Sequence, residues 1–340
     1  MVIGMDPMQA EVIWNKLYEQ CYWTKGNGAI LYSAVSALDV AMWDIRGKAL
    51  GVPVYTLLGG KFRDSLRCYA SQLQFGFCDH FEPQYTVEDY RKVSEIAMEK
   101  GYDAVKVDLL KFGSKPGARM AETDGYGHFS IETLKLMEAR MRAVRESVGP
   151  DCEIILEQHC ATTLNTAIQT AHTLEPYGIM FMEEPLAPLN PSLTSQLHHA
   201  TSIPLATGER SYLREGFLPF FQDRSLSLIQ PDLGLCGGIT EGKKICDMAH
   251  AFDIGVQAHV CGTPISIAAG LQLECSIPNF TIHEMHVLNL VPEFLSWSTL
   301  DYTPKNGQIR VPDGPGLGIE LTDAFFSSAE TVTVSADRVS

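Results

Sequence analysis

The chain has 340 residues, of which 45% are hydrophobic and 20% are charged, as expected for a globular enzyme with a large core. Its net charge of −15 argues against nucleic acid and anionic membranes as main partners. Nine scattered cysteines without a C-x-x-C pair predict neither a disulfide framework nor structural zinc, and they favour the cytoplasm. The first residues show no signal-peptide pattern, and no apolar run reaches the roughly 18 residues of a membrane span.

Two helices are predicted before the first strand. The first covers residues 6–20 and begins at Asp6-Pro7, because proline suits the first helical position. The second covers residues 29–50 and ends before Gly51. Its apolar residues at helical spacing are Val35, Leu38, Met42 and Ile45.

From residue 66 onward, eight short apolar runs alternate with amphipathic segments. The runs cover residues 66–70, 103–107, 153–156, 179–182, 203–206, 226–230, 255–258 and 279–282. Helices are expected between them, among others over residues 87–100, 131–147, 163–175, 240–253 and 265–276. Eight repeated β-α units predict a (β/α)8 barrel of the α/β class, and a doubly wound open sheet is the competing architecture.

Two segments lie outside this alternation. Residues 111–130 are Gly-rich and polar and follow the second strand, so in a barrel they would stand over the mouth as a loop. Residues 291–340 have no β-α rhythm and contain the turn-rich stretch "DGPGLGIEL". This last segment is expected to leave the barrel and pack elsewhere.

Ionisable residues follow five consecutive predicted strands. They are Glu157, Glu183, Glu209, Asp232 and His259. In a barrel these strand ends share one face, where catalytic groups collect. Three carboxylates from neighbouring strands form a hard oxygen site that suits Mg²⁺. The sequence therefore predicts a metal site made by the three glutamates.

Further polar residues extend this predicted site. Asp232 could hold one imidazole nitrogen of His259 and make it a general base. His159 lies two residues after Glu157, on the same side of the strand, and could act as an acid. Lys106 sits inside the second predicted strand, where an unpaired cation is costly, so a metal-site or substrate carboxylate is expected beside it.

Six stretches of the chain resemble the enolase superfamily, in its mandelate racemase-like branch. They are "SALDVAMWDIRGKALGVPVYTLLGG", "MEEPLAP", "IPLATGER", "IQPDLGLCGGITEGKKI", "VQAHVCGTPI" and "PNFTIHE". The resemblance spans about residues 30–290 and implies a barrel with an α+β cap. It also implies an enzyme that removes the proton alpha to a carboxylate, with one Mg²⁺ per subunit stabilising the ene-diolate.

The resemblance assigns a role to each candidate residue. Glu157, Glu183 and Glu209 take the metal-ligand positions, and Asp232 and His259 take those of the His-Asp dyad. Glu284, after the eighth predicted strand, takes the position that hydrogen-bonds the ene-diolate. Lys106 takes the first lysine position of the K-x-K motif in the second strand. Substrate contacts are expected from Lys106, Asp108, His159 and Glu284.

Three departures from the family pattern sharpen the prediction. Asp108 replaces the second lysine of K-x-K, which makes two-base racemisation less expected. Glu157-x-His159 resembles the D-x-H of galactonate-type sugar acid dehydratases, where the histidine protonates the departing 3-hydroxyl. Only the helical part of the cap is visible, without its N-terminal sheet. The predicted domains are a capping region (1–64), the barrel (65–290) and a C-terminal segment packing back on the cap (291–340).

The predicted function is a Mg²⁺-dependent hydro-lyase, a cytoplasmic dehydratase of an aldonate or aldarate that forms a 2-keto-3-deoxy sugar acid. Its partners would be a small sugar acid and further copies of the chain, as a dimer or larger. Alternatives within the superfamily are an epimerase, a racemase or a cycloisomerase. A non-catalytic relative with an incomplete cap also stays open, as does a glycosidase using Glu183 and Glu209.

Overall fold

Eight parallel strands form the centre of the computed structural model, which describes residues 1–26, 28–77, 80–117 and 126–333. They pair in the order β7-β6-β5-β4-β3-β2-β1-β8. Their bounds are β1 (Ser65–Ser71), β2 (Ala104–Asp108), β3 (Glu153–Glu157), β4 (Ile179–Glu183), β5 (Leu205–Thr207), β6 (Leu228–Ile229), β7 (Gly255–Val256) and β8 (His283–His286). A ninth strand, β9 (Gln308–Arg310), pairs antiparallel with β1.

Contacts between β7 and the chain before β8 close this sheet into a barrel. Val256 N donates to the Asn279 carbonyl, and Thr281 N donates to the Val256 carbonyl, both at 2.8 Å. The residues Val256 and Phe280 thereby form a parallel bridge. An open doubly wound sheet would leave its edge strands apart. The (β/α)8 prediction is therefore confirmed.

The eighth strand lies further along the chain than the sequence predicts. Residues 279–282 make the bridge to β7, and β8 begins only at His283. Glu284, predicted to follow the strand, therefore lies within it. The apolar pattern misplaced this strand because its members His283, Glu284 and His286 are polar and yet buried. An apolar pattern does not predict a strand whose buried residues are ionisable.

Helices alternate with the strands and cover the outside of the barrel. Those between strands are α4 (Val87–Glu99), α5 (Ile131–Val148), α6 (Leu164–Leu174), α7 (Pro191–Ala200), α8 (Leu213–Asp223), α9 (Gly238–Ala251) and α10 (Pro264–Glu274). They begin where the local chemistry favours it, since the side chains of Thr86, Ser130 and Thr163 accept N-terminal N–H groups of α4, α5 and α6. The five predicted helices of this region agree with these bounds within two residues.

The remaining helices lie before β1 and after β8. They are α1 (Ala10–Gln20), α2 (Ala29–Leu50), α3 (Val54–Leu57), α11 (Pro292–Leu295) and α12 (Asp323–Ser328). Short 3-10 helices cover Pro7–Gln9, Thr24–Gly26, Leu73–Phe75, Glu175–Tyr177 and Val287–Leu290. Within the described part of the chain, no helix combines the length and the apolar character needed to cross a membrane.

Helix α2 packs on the barrel through a different face from the one its apolar spacing suggests. Val35 and Met42 are buried, but Leu38 and Ile45 are 40% and 46% exposed. The stripe against α9 instead includes Asp39 and Trp43, whose side chains both bond Thr240. The face was missed because a polar side chain with a buried partner packs as well as an apolar one.

The segment after β8 contacts α2 and the turn that follows it. Gly316 exchanges backbone hydrogen bonds with Val52 and Val54 at 3.0 and 2.9 Å, and Leu317 N donates to Asp44 Oδ1 at 2.9 Å. The division of the chain into cap, barrel and C-terminal segment stays a prediction. Residues 118–125 of the predicted loop over the mouth lie outside the described residues, as do residues 334–340.

Candidate active site

Three glutamates from neighbouring strands meet at the carboxyl end of the barrel. Glu157 and Glu183 are the last residues of β3 and β4, and Glu209 follows the end of β5 by two residues. One carboxylate oxygen from each lies within 4.8 Å of the other two. Glu157 and Glu183 are fully buried, so their charges depend on protein groups or bound ions for compensation. The structure thus brings together the three residues expected from the strand ends.

Lys106 is the cation at the centre of this acidic group. Its Nζ lies 2.6 Å from Glu183 Oε1, 2.8 Å from Glu284 Oε1 and 3.1 Å from Glu157 Oε2, and all four side chains are buried. Burial alone would lower the pKa of Lys106, but the surrounding carboxylates outweigh burial and raise it well above its ordinary value. The lysine therefore stays charged and is paired with Glu157 and Glu183, two of the three glutamates predicted to bind a metal, as one sequence interpretation expected.

The carboxylates around Lys106 differ in their affinity for a proton. Burial raises the pKa of Glu183, and the negative charge of Glu157 raises it further. Burial also acts on Glu157, but the charge of Lys106 prevails and lowers its pKa to about 2. Oxygen Oε2 of Glu183 is buried without a hydrogen-bond partner among the described residues. This unpartnered oxygen is the feature that a cation would satisfy.

His259 and Asp232 form a hydrogen-bonded pair at the ends of β7 and β6. His259 Nδ1 lies 2.7 Å from Asp232 Oδ2, and Asp232 Oδ1 accepts Gly234 N at 2.6 Å. The other ring nitrogen, Nε2, lies 3.5 Å from Glu209 Oε2. Burial lowers the pKa of His259, but the bond to Asp232 and the charge of Glu209 outweigh it and raise the pKa. The structure thus places His259 and Asp232 within hydrogen-bond distance, as expected for the dyad.

A second His-Asp pair lies on the other side of the three glutamates. His159 Nδ1 lies 2.6 Å from Asp108 Oδ2, while Asp108 Oδ1 accepts Leu110 N and Lys111 N at 2.8 Å. Burial lowers the pKa of His159, but the charges of Glu157 and Asp108 raise it overall. The sequence placed Asp108 as a substrate contact, and the structure shows it as the partner of a histidine.

The backbone after β3 differs from the extended form used to place His159. The strand ends at Glu157, and His159 and Cys160 adopt left-handed conformations with φ of 43° and 56°. Side-chain alternation therefore does not reach His159. It lies beside the glutamates because Glu157 Oε1 accepts its backbone N–H at 2.7 Å and folds the turn over the carboxylate. Non-glycine residues rarely adopt this conformation, and such strain is concentrated at functional sites.

Glu284 links the site to β1 and to the turn after His259. Its Oε1 accepts Ser71 Oγ at 2.6 Å, and its Oε2 accepts Val260 N at 2.9 Å. Burial raises the pKa of Glu284, but the charges of Lys106 and His259 lower it well below its ordinary value. Glu284 is therefore a buried, ionised carboxylate that is held by Ser71, Lys106 and Val260.

Adjacent glutamates Glu183 and Glu184 have different partners. Strand β4 ends at Glu183, and Glu184 turns away in a left-handed conformation with φ of 43°. The side chain of Glu184 forms an ion pair with Arg210, which also contacts Glu209 Oε1 at 2.5 Å. Arg210 thereby ties the end of β4 to the end of β5. Glu183 thus belongs to the cluster of three glutamates, whereas Glu184 contacts the arginine that holds the next strand end.

The sequence interpretation missed two glutamines that follow β1. Gln72 Nε2 lies 3.4 Å from Glu157 Oε2 and 3.3 Å from His159 Nε2. Gln74 Oε1 accepts Asp108 N at 3.0 Å, and its amide bonds Gln72. The stretch "SQLQF" contained the signal, since polar residues follow a strand there as they do elsewhere. The two glutamines are uncharged, whereas the predicted site consists of ionisable residues only.

Two segments of the chain match known family models. Residues 89–325 match the model described as Enolase C-terminal domain-like. Residues 1–59 match Mandelate racemase / muconate lactonizing enzyme, N-terminal domain. The chain belongs to this family. The resemblance to the enolase superfamily inferred from the sequence is thereby confirmed.

Curated proteins and solved structures show the same relationship. The chain is 33% identical to the D-galactonate dehydratase of Variovorax paradoxus (strain S110), covering 95% of this chain and 79% of that protein. It is 30% identical to the D-xylonate dehydratase of Haloferax volcanii, covering 97% and 78%. A solved structure of an enolase superfamily member from Salmonella Typhimurium is 46% identical with a TM-score of 0.94, covering 98% and 86%.

Proposed function

We propose that this protein is a Mg²⁺-dependent dehydratase of an acid sugar. The observation that carries the proposal is the pair of His-Asp dyads flanking three metal-site glutamates. Dehydration of a sugar acid needs a base for the C2 proton and an acid for the departing C3 hydroxyl. Each dyad can supply one of these functions.

The relatives support both the chemistry and the substrate class. They include a D-galactonate dehydratase and a D-xylonate dehydratase, whose names describe loss of water from aldonates. The predicted enzyme class, a carbon–oxygen hydro-lyase, is thereby confirmed. We infer that the substrate is an aldonate or aldarate and that the product is a 2-keto-3-deoxy sugar acid.

His259 is assigned as the base. In the neutral ring Asp232 accepts the hydrogen bond from Nδ1–H, so Nε2 carries the lone pair that would take the C2 proton. The negative charge of Asp232 also stabilises the imidazolium that forms after the C2 proton is taken. The charge of Lys106, which is buried against Glu157, Glu183 and Glu284, would add positive potential where negative charge develops on the ene-diolate.

His159 is assigned as the acid. Asp108 holds its Nδ1 and favours the protonated ring, so Nε2 can donate to the departing hydroxyl. Gln72 Nε2 lies 3.3 Å from the same ring nitrogen, and because an amide nitrogen only donates, it can bond Nε2 only after His159 has given up that proton. Loss of the C3 hydroxyl as water gives an enol that becomes the 2-keto acid.

Glu157, Glu183 and Glu209 would hold the metal ion. Their carboxylate oxygens are the hard donors that Mg²⁺ prefers, and the unpartnered Oε2 of Glu183 fits a cation. When bound, Mg²⁺ supplies a Lewis acid that stabilises negative charge on the substrate carboxylate. Lys106 is shared by three buried carboxylates, Glu157, Glu183 and Glu284, so a divalent ion would add positive charge that this one lysine does not supply.

The base assignment is tested by hydron exchange at C2. In D2O with Mg²⁺ and a panel of hexonates, pentonates and aldarates, wild-type protein should exchange the C2 proton and form a 2-keto acid that semicarbazide traps. His259→Asn should abolish both. His199→Asn, at an exposed histidine on α7, is the matched control and should retain both. Undiminished exchange in His259→Asn would remove this residue from the base role.

A second candidate is an epimerase that uses the two histidines as bases on opposite faces of the substrate. The dyads at the β3 and β7 sides of the site favour this reading. Product analysis separates the two reactions, because epimerisation conserves the hydroxyl at C3 and yields no semicarbazide adduct. Exchange of the C2 proton without a 2-keto acid would favour the epimerase.

A further inference from the structure

His286 is a buried histidine in the barrel mouth that the mechanism above does not use. It is the last residue of β8 and lies two residues after Glu284, so both side chains are on the inner face of the strand. The residue is only 5% exposed. A buried polar side chain in this position needs partners.

One ring nitrogen of His286 has a protein partner and the other has none. Nδ1 accepts the backbone N–H of Leu288 at 3.2 Å, which requires a lone pair there and places the proton on Nε2. Nε2 has no hydrogen-bond partner among the residues that the structure describes. His286 therefore presents an unpartnered N–H donor.

The surroundings keep this donor neutral. Burial lowers the pKa of His286 to about 4; Glu284 opposes the shift, and the positive charges of Lys106, His259 and His159 add to it. These four groups belong to the candidate active site, and one of them, Glu284, lies on the same inner face of β8 as His286. Phe75 stacks on the ring with centroids 5.8 Å apart and planes inclined by 19°. The stacking fixes the plane in which the N–H points.

We propose that His286 binds the substrate by donating its Nε2 proton to a hydroxyl oxygen of the sugar chain beyond the reacting carbons. The inference rests on the proposed function, because that function reserves the carboxylate, C2 and C3 for other residues. A neutral N–H suits a hydroxyl oxygen, whereas a second carboxylate would favour a cation. His286 and the Phe75 that orients it thus recognise the polyol part of an aldonate.

Two substitutions distinguish the Nε2 donor of His286 from the hydrogen bond that its Nδ1 accepts from Leu288 N. In His286→Asn the side-chain oxygen takes the place of Nδ1 and can still accept Leu288 N, but no donor reaches the place of Nε2. In His286→Gln the amide nitrogen reaches the place of Nε2, and the bond to Leu288 is lost. A structural role would be impaired by Gln and preserved by Asn. A substrate-binding role predicts the reverse.

The experiment measures kcat/KM for D-galactonate and D-xylonate with Mg²⁺, and for analogues of the better substrate that lack the hydroxyl at C4 or C5. In wild-type protein, removal of the recognised hydroxyl should lower kcat/KM about tenfold, the loss of one hydrogen bond. In His286→Asn, kcat/KM for the full substrate should fall about tenfold. Removal of the same hydroxyl from the substrate should then lower kcat/KM no further. His286→Gln should retain the discrimination.

The outcomes distinguish an error in the role of His286 from an error in the proposed dehydratase function. Equal losses for the full substrate and the analogues in His286→Asn would overturn the role of His286 and leave the dehydratase intact. A wild-type enzyme indifferent to every deoxygenation would also overturn it. Absence of turnover with every sugar acid would overturn the proposed function, and this inference with it.

Discussion

Replacing Asp39 by asparagine is expected to stabilise the protein more at pH 8 than at pH 5. Asp39 lies on α2, is fully buried, and accepts hydrogen bonds from Thr240 N at 2.8 Å and Thr240 Oγ1 at 2.5 Å. Burial raises the pKa of Asp39 from 3.8 to about 6, although the bonds from Thr240 oppose this shift. The ionised carboxylate therefore destabilises the folded state near neutral pH.

The magnitude follows from the difference between folded and unfolded pKa values. A carboxyl group whose folded pKa is raised contributes fully to stability below its unfolded pKa, and the contribution is lost as pH rises through the folded pKa. A shift from 3.8 to about 6 amounts to about 3 kcal/mol once both states are ionised. Roughly half of this is already lost at pH 5, so about 1.4 kcal/mol should disappear between pH 5 and pH 8.

Urea unfolding of wild-type and Asp39→Asn protein at pH 5, 6, 7 and 8 tests this reasoning. The free energy of unfolding of the variant minus that of wild type should rise by about 1.4 kcal/mol across the range. Asp89→Asn is the control, because backbone hydrogen bonds lower the pKa of Asp89 below 3.8 despite its partial burial. The unfolding free energy of Asp89→Asn minus that of wild type should stay constant above pH 5. A difference for Asp39→Asn that is constant within about 0.5 kcal/mol would refute the argument.

Four other substitutions, one of them a control, and one titration test the site and the contacts that support it. Lys106→Met leaves buried carboxylates without their cation and should lower the unfolding free energy by about 3–5 kcal/mol without Mg²⁺; wild-type stability would contradict the role of the ion pairs. Gly238→Ala places a Cβ in steric conflict with Asp39 Oδ2 and should lower Tm more than Gly51→Ala, which shares a positive φ but meets no atom within 4 Å. Equal effects would disprove the steric explanation. Mg²⁺ at a hundred times its Kd should raise the unfolding free energy by about 2.7 kcal/mol, and Glu183→Gln should remove this effect. Stabilisation that persists in Glu183→Gln would place the metal elsewhere.

The barrel and the acidic strand ends could be predicted from the sequence for a simple reason. Each strand is a short apolar run, and the first polar residue after it marks the edge of the barrel. Glu157, Glu183 and Glu209 therefore appear at regular places in the chain before any contact is known. The eighth strand broke the rule because Glu284 and His286 are buried inside it.

The strand-end pattern does not predict the roles of uncharged residues or of residues in left-handed turns. Gln72 carries no charge, and its left-handed backbone, with φ of 68°, has no signature in the apolar pattern. His159 was placed in the site by strand alternation, but a left-handed turn brings it there. His286 did not stand out because its functional feature is an unpartnered nitrogen, which exists only once the neighbouring atoms are known.

The sequence by itself determined the repeated β-α order, the residue types at the strand ends and the family. Only the tertiary structure decided which of these residues are partners. Asp108 and His159 are 51 residues apart in the chain, but their side-chain atoms Oδ2 and Nδ1 are 2.6 Å apart, and Lys106 on β2 reaches Glu284 on β8, past the intervening strand β1, at 2.8 Å. Pairing of this kind depends on strand register and turn conformation. Those in turn depend on packing between distant segments, which no local pattern contains.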